Sequence, residues 1–271
     1  MIRPHIAALW LVLLLALLTG CASGPTALRF DESLSAKGQD SRVQFLVLHF
    51  TAESLERSIN ILAHGGRVSS HYLVTDESPV RTYRLVDENR RAWHAGQSFW
   101  RGQTMLNASS IGIEIVNPGN VATGDDKRWQ PFTPAQEDAV VALVQDIVRR
   151  HQIRPENVVG HSDIAPMRRD DPGPLFPWQR LAALGLVAWP DEARVAEQRK
   201  VFDAALPDIA WFQMALATHG FQLAQSGTLD GVTRRVLRAF QMKYRPSQIE
   251  GEPDAETAAM LHVLTNPVAR P

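Results

Sequence analysis

Two of the nine histidines in this 271-residue chain share one sequence context. His49 lies at the end of the apolar run RVQFLVLHF, and His161 ends the shorter run NVVGH. Open α/β sheets bind ligands at the carboxyl ends of their strands, so both side chains are expected to face one crevice. A single histidine of this kind is more often a core residue, but two at matching strand ends favour a site. Imidazole is also the commonest metal ligand in proteins.

A carboxylate lies in a third apolar strand pattern. In SIGIEIVN, Glu114 is on the face opposite the three isoleucines. A carboxylate in such a run is costly unless it is paired or functional. A catalytic zinc ion takes three protein ligands, such as two histidines and a carboxylate, and keeps a fourth position for water. Glu114 therefore has two competing roles, as the third ligand or as the general base.

The segment VVGHSDIAPMRRDDPGPLFPW carries other candidates for the third ligand. Asp163, Asp170 and Asp171 all follow His161 closely, and any of them would free Glu114 to act as the base. Spacing alone does not choose among the three. Asp171 precedes Pro172, which restricts its backbone to extended geometry and favours it slightly.

The elements that must position these residues form an α/β pattern. Apolar strand runs alternate with helices, and the helix after Thr133 begins with Pro134 and a capping box completed by Gln136. This mixture predicts an α/β domain over residues 42–186. His71 also falls in this region and is expected to be a packing residue.

The last part of the chain contains an internal repeat. Residues 187–205 are charged and bounded by proline, which predicts a linker with a helical piece. Beyond it, one pattern of a tight turn, a cap and an amphipathic helix occurs twice, at Gly227, Asp230, Thr233 and Leu237 and again at Gly251, Asp254, Thr257 and Leu261. Residues 206–271 are therefore predicted to form a small all-α domain.

The first residues predict export. Residues 1–21 have a basic start and an apolar run too short for a comfortable transmembrane helix, which is typical of a secretory signal. The ending LLTGC resembles a bacterial lipobox, with Cys21 as the lipidated residue. The alternative is a plain signal with an incidental cysteine, but Cys21 is the only cysteine in the chain. Residues 22–41 would then be a tether from the outer membrane, facing the periplasm.

Composition excludes little but is consistent with this organisation. Hydrophobic residues make up 45% of the chain and charged residues 21%, both ordinary values for globular proteins. A formal net charge of −1 gives no support for a nucleic-acid partner, whose phosphates favour a basic surface. The chain is expected to be a monomer.

Several spaced motifs, in order, carry a resemblance to a known family. They are LVLHFTA, SSHYLV, RAWHAG, SSIGIEIVN and GHSDIAPMRRDDPGPLFPW. Together they resemble the zinc-dependent N-acetylmuramoyl-L-alanine amidases of the type-2 amidase family, which are related to the peptidoglycan-recognition proteins. The resemblance covers residues 42–186 and implies a mixed central β-sheet flanked by helices. The helical repeat is similar to a peptidoglycan-binding type-1 domain.

The resemblance implies roles for particular residues. The zinc ligands fall on His49, His161 and Asp171, and the catalytic glutamate falls on Glu114. Where the family often has a lysine, this chain has Arg169, whose planar, permanently charged group can steady an oxyanion but cannot donate a proton.

Other positions receive roles from the same resemblance. Arg91 and His94 match a segment that lines the family's cleft and are expected to bind substrate, although a structural salt bridge would equally explain Arg91. Asp163 and Asp170 become loop-structuring or solvent-facing residues.

The implied activity is zinc-assisted hydrolysis of the amide bond between the lactyl group of N-acetylmuramic acid and L-alanine, with peptidoglycan and muropeptides as partners. A non-catalytic peptidoglycan-binding lipoprotein is one alternative, but it leaves the full ligand set and Glu114 unexplained. A structural envelope lipoprotein leaves them equally unexplained. A zinc peptidase acting within the stem peptide is separated only by the family resemblance.

Overall fold

The computed structural model describes residues 28–123 and 126–267. The predicted signal and Cys21 lie outside these residues, as does the first part of the predicted tether. Residues 28–40 contain neither helix nor strand, and the chain from Ser41 onwards groups as one unit. No helix in the described part of the chain is long and apolar enough to cross a membrane.

Short strands occur in the first two thirds of the chain, and helices make up its last third. The strands are β1 (Phe45–Phe50), β2 (Tyr72–Val74), β3 (Thr82–Arg84), β4 (Phe99–Trp100), β5 (Gln103–Thr104), β6 (Ser110–Ile115), β7 (Asn120–Thr123), β8 (Asp126–Trp129) and β9 (Val158–Gly160). The α-helices are α1 (Leu55–Ile59), α2 (Pro134–His151), α3 (His161–Ile164), α4 (Trp178–Ala183), α5 (Glu192–Ala204), α6 (Ile209–His219), α7 (Gly231–Tyr244) and α8 (Ala255–Thr265). A π-helical turn, Asn60–His64, continues α1.

A mixed five-stranded sheet has the order β3-β2-β6-β1-β9. Strand β1 is parallel to both β6 and β9, β2 is parallel to β6, and β3 is antiparallel to β2. Because β1, β6 and β9 are parallel, their carboxyl ends meet at one edge of the sheet. His49 lies opposite Glu114, and Leu48 lies opposite Gly160, the residue before His161. The predicted fold class is confirmed.

The two faces of the sheet have different neighbours. On one face, Leu46 and Leu48 join the three isoleucines of β6 and the apolar stripe of α2. On the other face, Phe45 and Val47 share a buried cluster with Phe240 and other residues of the helical module α6–α8. Full burial of each such side chain contributes about 1.5–3 kcal/mol. The His49 side chain lies on this second face, because strand residues alternate.

Helix α2 starts as predicted. The Thr133 hydroxyl accepts a hydrogen bond from the Gln136 backbone N–H (3.2 Å), and the Gln136 side-chain oxygen accepts one from the Thr133 N–H (3.1 Å). The Gln136 amide also donates to the carbonyl of Val116 (2.7 Å). The capping box therefore ties the start of α2 to the end of β6, near the site.

The predicted repeat module is helical, and its caps are as expected. The Asp230 carboxylate caps α7 by accepting from the Thr233 N–H (2.7 Å), and Asp254 caps α8 through the Thr257 N–H (2.9 Å). Most of the predicted linker is helix α5, which packs against α8.

Candidate metal centre

Three ligand atoms converge at the carboxyl end of the sheet. The Nδ1 atom of His49 lies 2.9 Å from Nδ1 of His161 and 2.9 Å from Oδ2 of Asp171, and the last two atoms are 3.1 Å apart. The residues are 1%, 3% and 6% exposed, respectively. Strand β1 places His49, the start of α3 places His161, and the loop after α3 places Asp171.

The second nitrogen of His49 is held by a chain of hydrogen bonds. The Ser110 hydroxyl donates to the carbonyl of Leu106 (2.7 Å), so its oxygen accepts from Nε2 of His94 (3.1 Å). Nδ1 of His94 is then free to accept from Nε2 of His49 (3.0 Å). This chain fixes the tautomer of His49 and leaves a lone pair on its Nδ1.

A backbone carbonyl fixes the tautomer of His161. Its Nε2 donates to the carbonyl of Ala95 (3.2 Å), so its Nδ1 also carries a lone pair. The Arg168 guanidinium donates to the same carbonyl and to that of Gln97. Both imidazoles therefore present Nδ1 to the point where Asp171 lies.

The donor set fits a divalent metal ion. Burial and, to a smaller extent, the nearby His161 lower the pKa of His49 to about 4, so His49 is neutral at pH 7, as a metal ligand must be. Burial would raise the pKa of Asp171, but positive charge facing it, from a proton on His161 or His49 or from an ion bound in its place, holds the pKa below its usual value, so the carboxylate is charged. Two lone pairs and a carboxylate this close repel each other unless a cation lies between them.

Gly112 makes room for the chain of hydrogen bonds. A Cβ atom at this position of β6 would lie 2.5 Å from Cγ of His94, closer than any side chain tolerates. The imidazole of His94 therefore packs directly over the β6 backbone. His71 lies next to it, and both of its ring nitrogens bond to the backbone, at Gly112 N (3.0 Å) and Arg90 O (3.1 Å). The predicted packing role of His71 agrees with these contacts.

Glu114 projects from β6 beside the metal centre. Its Oε2 is buried and has no hydrogen-bond partner among the described residues. Burial raises the pKa of Glu114 well above its usual value, the charge of Asp171 raises it further, and Arg169 partly opposes both. Glu114 is half-buried and lines a cleft, and a carboxylate there with a raised pKa is suited to move a proton.

A cleft of about 220 Å³ opens onto these groups. Its walls include Thr51, Ile61, Leu62, Val68, Trp93 and Arg169. The π-helical turn supplies Ile61 and Leu62, and such turns occur frequently at functional sites. Arg169 is exposed at the wall of the cleft, and its positive charge acts to lower the pKa of both Glu114 and His49.

The two residues predicted to bind substrate, His94 and Arg91, have different surroundings in the structure. His94 lines the cleft, but its ring nitrogens face His49 and Ser110, so it supports the metal ligand. Arg91 is exposed and lies outside the set of described residues that line the cleft. Its predicted role in substrate binding therefore stays a prediction.

The other two aspartates of the ligand-bearing segment, Asp163 and Asp170, differ in burial. Asp163 is buried, and its Oδ2 accepts from the Gly160 N–H (2.8 Å), which agrees with a loop-structuring role and not with a solvent-facing one. Asp170 is half-buried. The Ser162 N–H donates to the carbonyl of Asp171 (2.8 Å), which joins the two ends of this segment.

Sequence reasoning missed three supporting residues. They are Ser110, Asn107, whose side-chain oxygen accepts from the backbone of His94 (3.1 Å) and Ala95 (2.7 Å), and Trp93 at the cleft wall. Ser110 is the first residue of β6, on the same face as Glu114, and could have been found by strand alternation, whereas no periodicity marks Asn107. The exposed tryptophan was adjacent to His94 in a quoted motif and could have been found there.

Comparisons with known proteins agree with this geometry. Residues 39–174 match the family described as N-acetylmuramoyl-L-alanine amidase, and residues 206–261 match a putative peptidoglycan binding domain. The N-acetylmuramoyl-L-alanine amidase AmiD of Escherichia coli is 43% identical over 94% of this chain and 96% of its own length.

Solved structures are similar over most of the chain. A complex of the E. coli AmiD amidase with the substrate anhydro-N-acetylmuramic acid-L-Ala-D-gamma-Glu-L-Lys has a TM-score of 0.77 at 41% identity, covering 89% of this chain and 95% of that one. AmpDh3 from Pseudomonas aeruginosa, in complex with anhydromuramic pentapeptide, has a TM-score of 0.80 at 36% identity, covering 88% and 97%.

Proposed function

The chain belongs to the N-acetylmuramoyl-L-alanine amidase family, and we propose that it hydrolyses the amide bond between the lactyl group of N-acetylmuramic acid and the L-alanine of the stem peptide. The observation that carries this proposal is the convergence of His49, His161 and Asp171 beside Glu114 in one cleft. A protein that only bound peptidoglycan would need the cleft but not the buried donor set.

We infer that the metal is zinc and that His49, His161 and Asp171 hold it. Two imidazole nitrogens and one carboxylate are a donor set of catalytic zinc sites, which leave a position open for water. The ion would supply Lewis acidity, polarising the scissile carbonyl and making water nucleophilic at neutral pH. The chain of His94 and Ser110 then holds His49 in the tautomer that this role requires.

Glu114 is the general base and acid of the proposal. Its carboxylate takes a proton from the attacking water and later delivers that proton to the leaving nitrogen of L-alanine. Arg169 stabilises the negative charge that develops on the carbonyl oxygen. Arginine keeps its proton at all relevant pH values, so the proton path runs through Glu114 alone.

We propose that soluble anhydro-muramyl peptides are substrates together with the intact wall. Two similar proteins, AmiD and AmpDh3, were solved with such ligands. The match of residues 206–261 to a peptidoglycan binding domain supports wall binding by the helical module.

The proposed location is the outer membrane, with the enzyme facing the periplasm. The support is the sequence of residues 1–21 and the single cysteine, Cys21, at the end of the apolar run. Stable anchoring needs more than one acyl chain, which lipidation of such a cysteine supplies. Metabolic labelling with a fatty-acid analogue tests this point: label is expected in the wild type and absent from Cys21→Ala.

The activity is tested by incubating residues 22–271 with anhydro-muramyl peptides and identifying the products by mass spectrometry. We expect free stem peptides with N-terminal L-alanine and the corresponding free sugar acid. A chelator should abolish the reaction, and added zinc should restore it. Cleavage within the stem peptide would instead identify a peptidase, and no cleavage by the zinc-loaded protein would leave a binding function only.

A further inference from the structure

The helical module is packed against the strands and loops that carry the metal centre. Trp100, which is 1% exposed, makes edge contacts with the rings of His219 and Phe221 at centroid distances of 5.5 and 5.1 Å. The Arg101 N–H donates to the carbonyl of Gly220 (2.9 Å). The interface therefore has a buried aromatic core and a backbone hydrogen bond, and a flexible tether would have neither.

A buried ion pair crosses this interface. Nζ of Lys243, on α7, lies 3.0 Å from Oδ2 of Asp163 and 3.1 Å from the carbonyl of Val158. The side chains of Lys243 and Asp163 are only 4% and 1% exposed. The ammonium group also lies 4.4 Å from the ring centroid of Trp178, a cation–π contact.

Asp163 connects this pair directly to the metal centre. It lies in α3, two residues after His161, and the same Oδ2 atom that contacts Lys243 accepts from the Gly160 N–H (2.8 Å). Its Oδ1 is buried without a hydrogen-bond partner among the described residues, so Lys243 is its main compensation. Any shift of Asp163 would rotate the single turn of helix that presents His161.

Helix α7 also reaches the other end of the ligand-bearing segment. Asp170, the residue before Asp171, lies 3.6 Å from Nη1 of Arg235 and 3.7 Å from Nη2 of Arg238. These pairs are more exposed than the Lys243 pair and are worth correspondingly less. One helix of the module thus contacts acidic residues next to two of the three metal ligands.

We propose that Lys243 is a positioning residue of the metal centre: from the helical module, it holds α3, and with it His161, in the orientation that binds the metal. The module therefore completes the catalytic site in addition to any binding of the wall. This inference rests on the proposed metal-dependent function of the same site.

The physical reason is that a buried ion pair is compensated, whereas a single buried charge is not. While both partners are present, the pair is compensated and Asp163 keeps one position. If the ammonium group is removed, a buried carboxylate is left without its cation, and the turn can only relieve this by moving towards water. His161 would move with it, and a displaced ligand weakens metal binding even in a folded protein.

The experiment measures the zinc dissociation constant of residues 22–271 by competition with a chromophoric chelator. Lys243→Met is expected to weaken zinc binding about tenfold, with a folded circular dichroism spectrum at the assay temperature. The double variant Asp163→Asn/Lys243→Met removes both charges and is expected to return to within about threefold of the wild type. The control, Lys200→Met, removes an exposed lysine paired with Glu197 and should leave the constant unchanged.

Two outcomes would overturn the inference. One is a Lys243→Met protein that binds zinc as tightly as the wild type, whatever its melting temperature. If that variant does not fold, two other variants decide the matter. The inference is then rejected if Asp163→Asn/Lys243→Met stays outside the expected range of the wild type's zinc affinity while Arg235→Gln/Arg238→Gln binds zinc as tightly as the wild type. Absence of zinc binding by the wild type would instead reject the proposed function.

Discussion

At the scale of single residues, the metal centre depends on hydrogen bonds as much as on its ligands. Either nitrogen of His49 could bind a metal ion, and the choice is made by the acceptor on His94. Nδ1 of His94 is an acceptor because the ring proton lies on Nε2, which donates it in a hydrogen bond to the Ser110 hydroxyl. These hydrogen bonds hold the tautomer of His49 without any contribution from an ion, and such pre-organisation lowers the cost of binding.

Ser110→Ala tests this chain. Without the hydroxyl, Nε2 of His94 loses its acceptor and the preference for the required tautomer disappears. We expect zinc affinity to fall by about tenfold, measured by chelator competition. Ser109→Ala is the matched control, because Ser109 contacts β1 through its backbone carbonyl. Equal affinities for the wild type and Ser110→Ala would show that the chain has no role in binding.

Glu114→Gln tests the proton-transfer role. The amide keeps the size of the side chain but cannot accept a proton, so kcat should fall by about a thousandfold, while zinc affinity stays within about twofold. Glu77→Gln, in an exposed pair with Arg81, is the control for a lost surface carboxylate. If Glu114→Gln lost zinc instead, the residue would have to be reassigned as a ligand.

At the scale of elements, the sequence predicted those whose signals are local. The strand runs around His49 and Glu114 and the capped helix after Thr133 are all present, since apolar periodicity and a capping box need only neighbouring residues. The sequence does not distinguish the π-helical turn after α1 from ordinary helix, because one extra residue in a turn leaves the apolar spacing almost unchanged.

In the helical repeat, too, the sequence predicted local features but not contacts between distant residues. Its glycines and caps were visible, but each turn is also held by a buried glutamine of the preceding helix. Gln213 accepts from the Gly227 N–H and Gln241 from the Gly251 N–H, both at 2.8 Å. The separations along the chain differ between the two copies, so no fixed spacing revealed them.

An ion-pair cluster joins the end of α2 to the sheet and gives a pH prediction. Hydrogen bonds from Arg150 hold the pKa of Glu88 at about 2, and Tyr72 and His151 add to this effect. The folded pKa is below the unfolded one, so the stabilisation is present above about pH 4.5 and is lost as the pH falls towards 2.

Glu88→Gln should therefore destabilise the protein by about 1 kcal/mol at pH 7, after allowance for partial exposure of the cluster. The difference from the wild type should shrink between pH 5 and pH 3, as followed by urea unfolding. Glu77→Gln should change stability by less than about 0.5 kcal/mol at either pH. A difference for Glu88→Gln that is independent of pH would exclude an ionic contribution.

At the scale of the whole molecule, sequence reasoning divided the chain at residue 206 and treated the last part as separate. The ligand set could be reached from the sequence because strand ends and a family resemblance point to it. The choice of Asp171 over Asp163 rested mainly on the resemblance, with slight support from Pro172. Nothing in the sequence relates Asp163 to Lys243, 80 residues later, since an ion pair across an interface leaves no spacing pattern.

This shared interface predicts that the helical module cannot be removed without cost. Truncation after Ala205 would expose Trp100, Phe45 and other members of the common core, at about 1.5–3 kcal/mol for each large side chain. The sum is of the order of 5 kcal/mol, comparable to the whole stability of many domains. We therefore expect residues 22–205 to melt more than 10 °C below residues 22–271, in line with the usual dependence of melting temperature on stability.

The truncated chain should also lose activity on small anhydro-muramyl peptides, for which wall binding is irrelevant. Calorimetry and the mass-spectrometric assay check both points, and an unchanged melting temperature with full activity on small peptides would show that the module serves only to bind the wall.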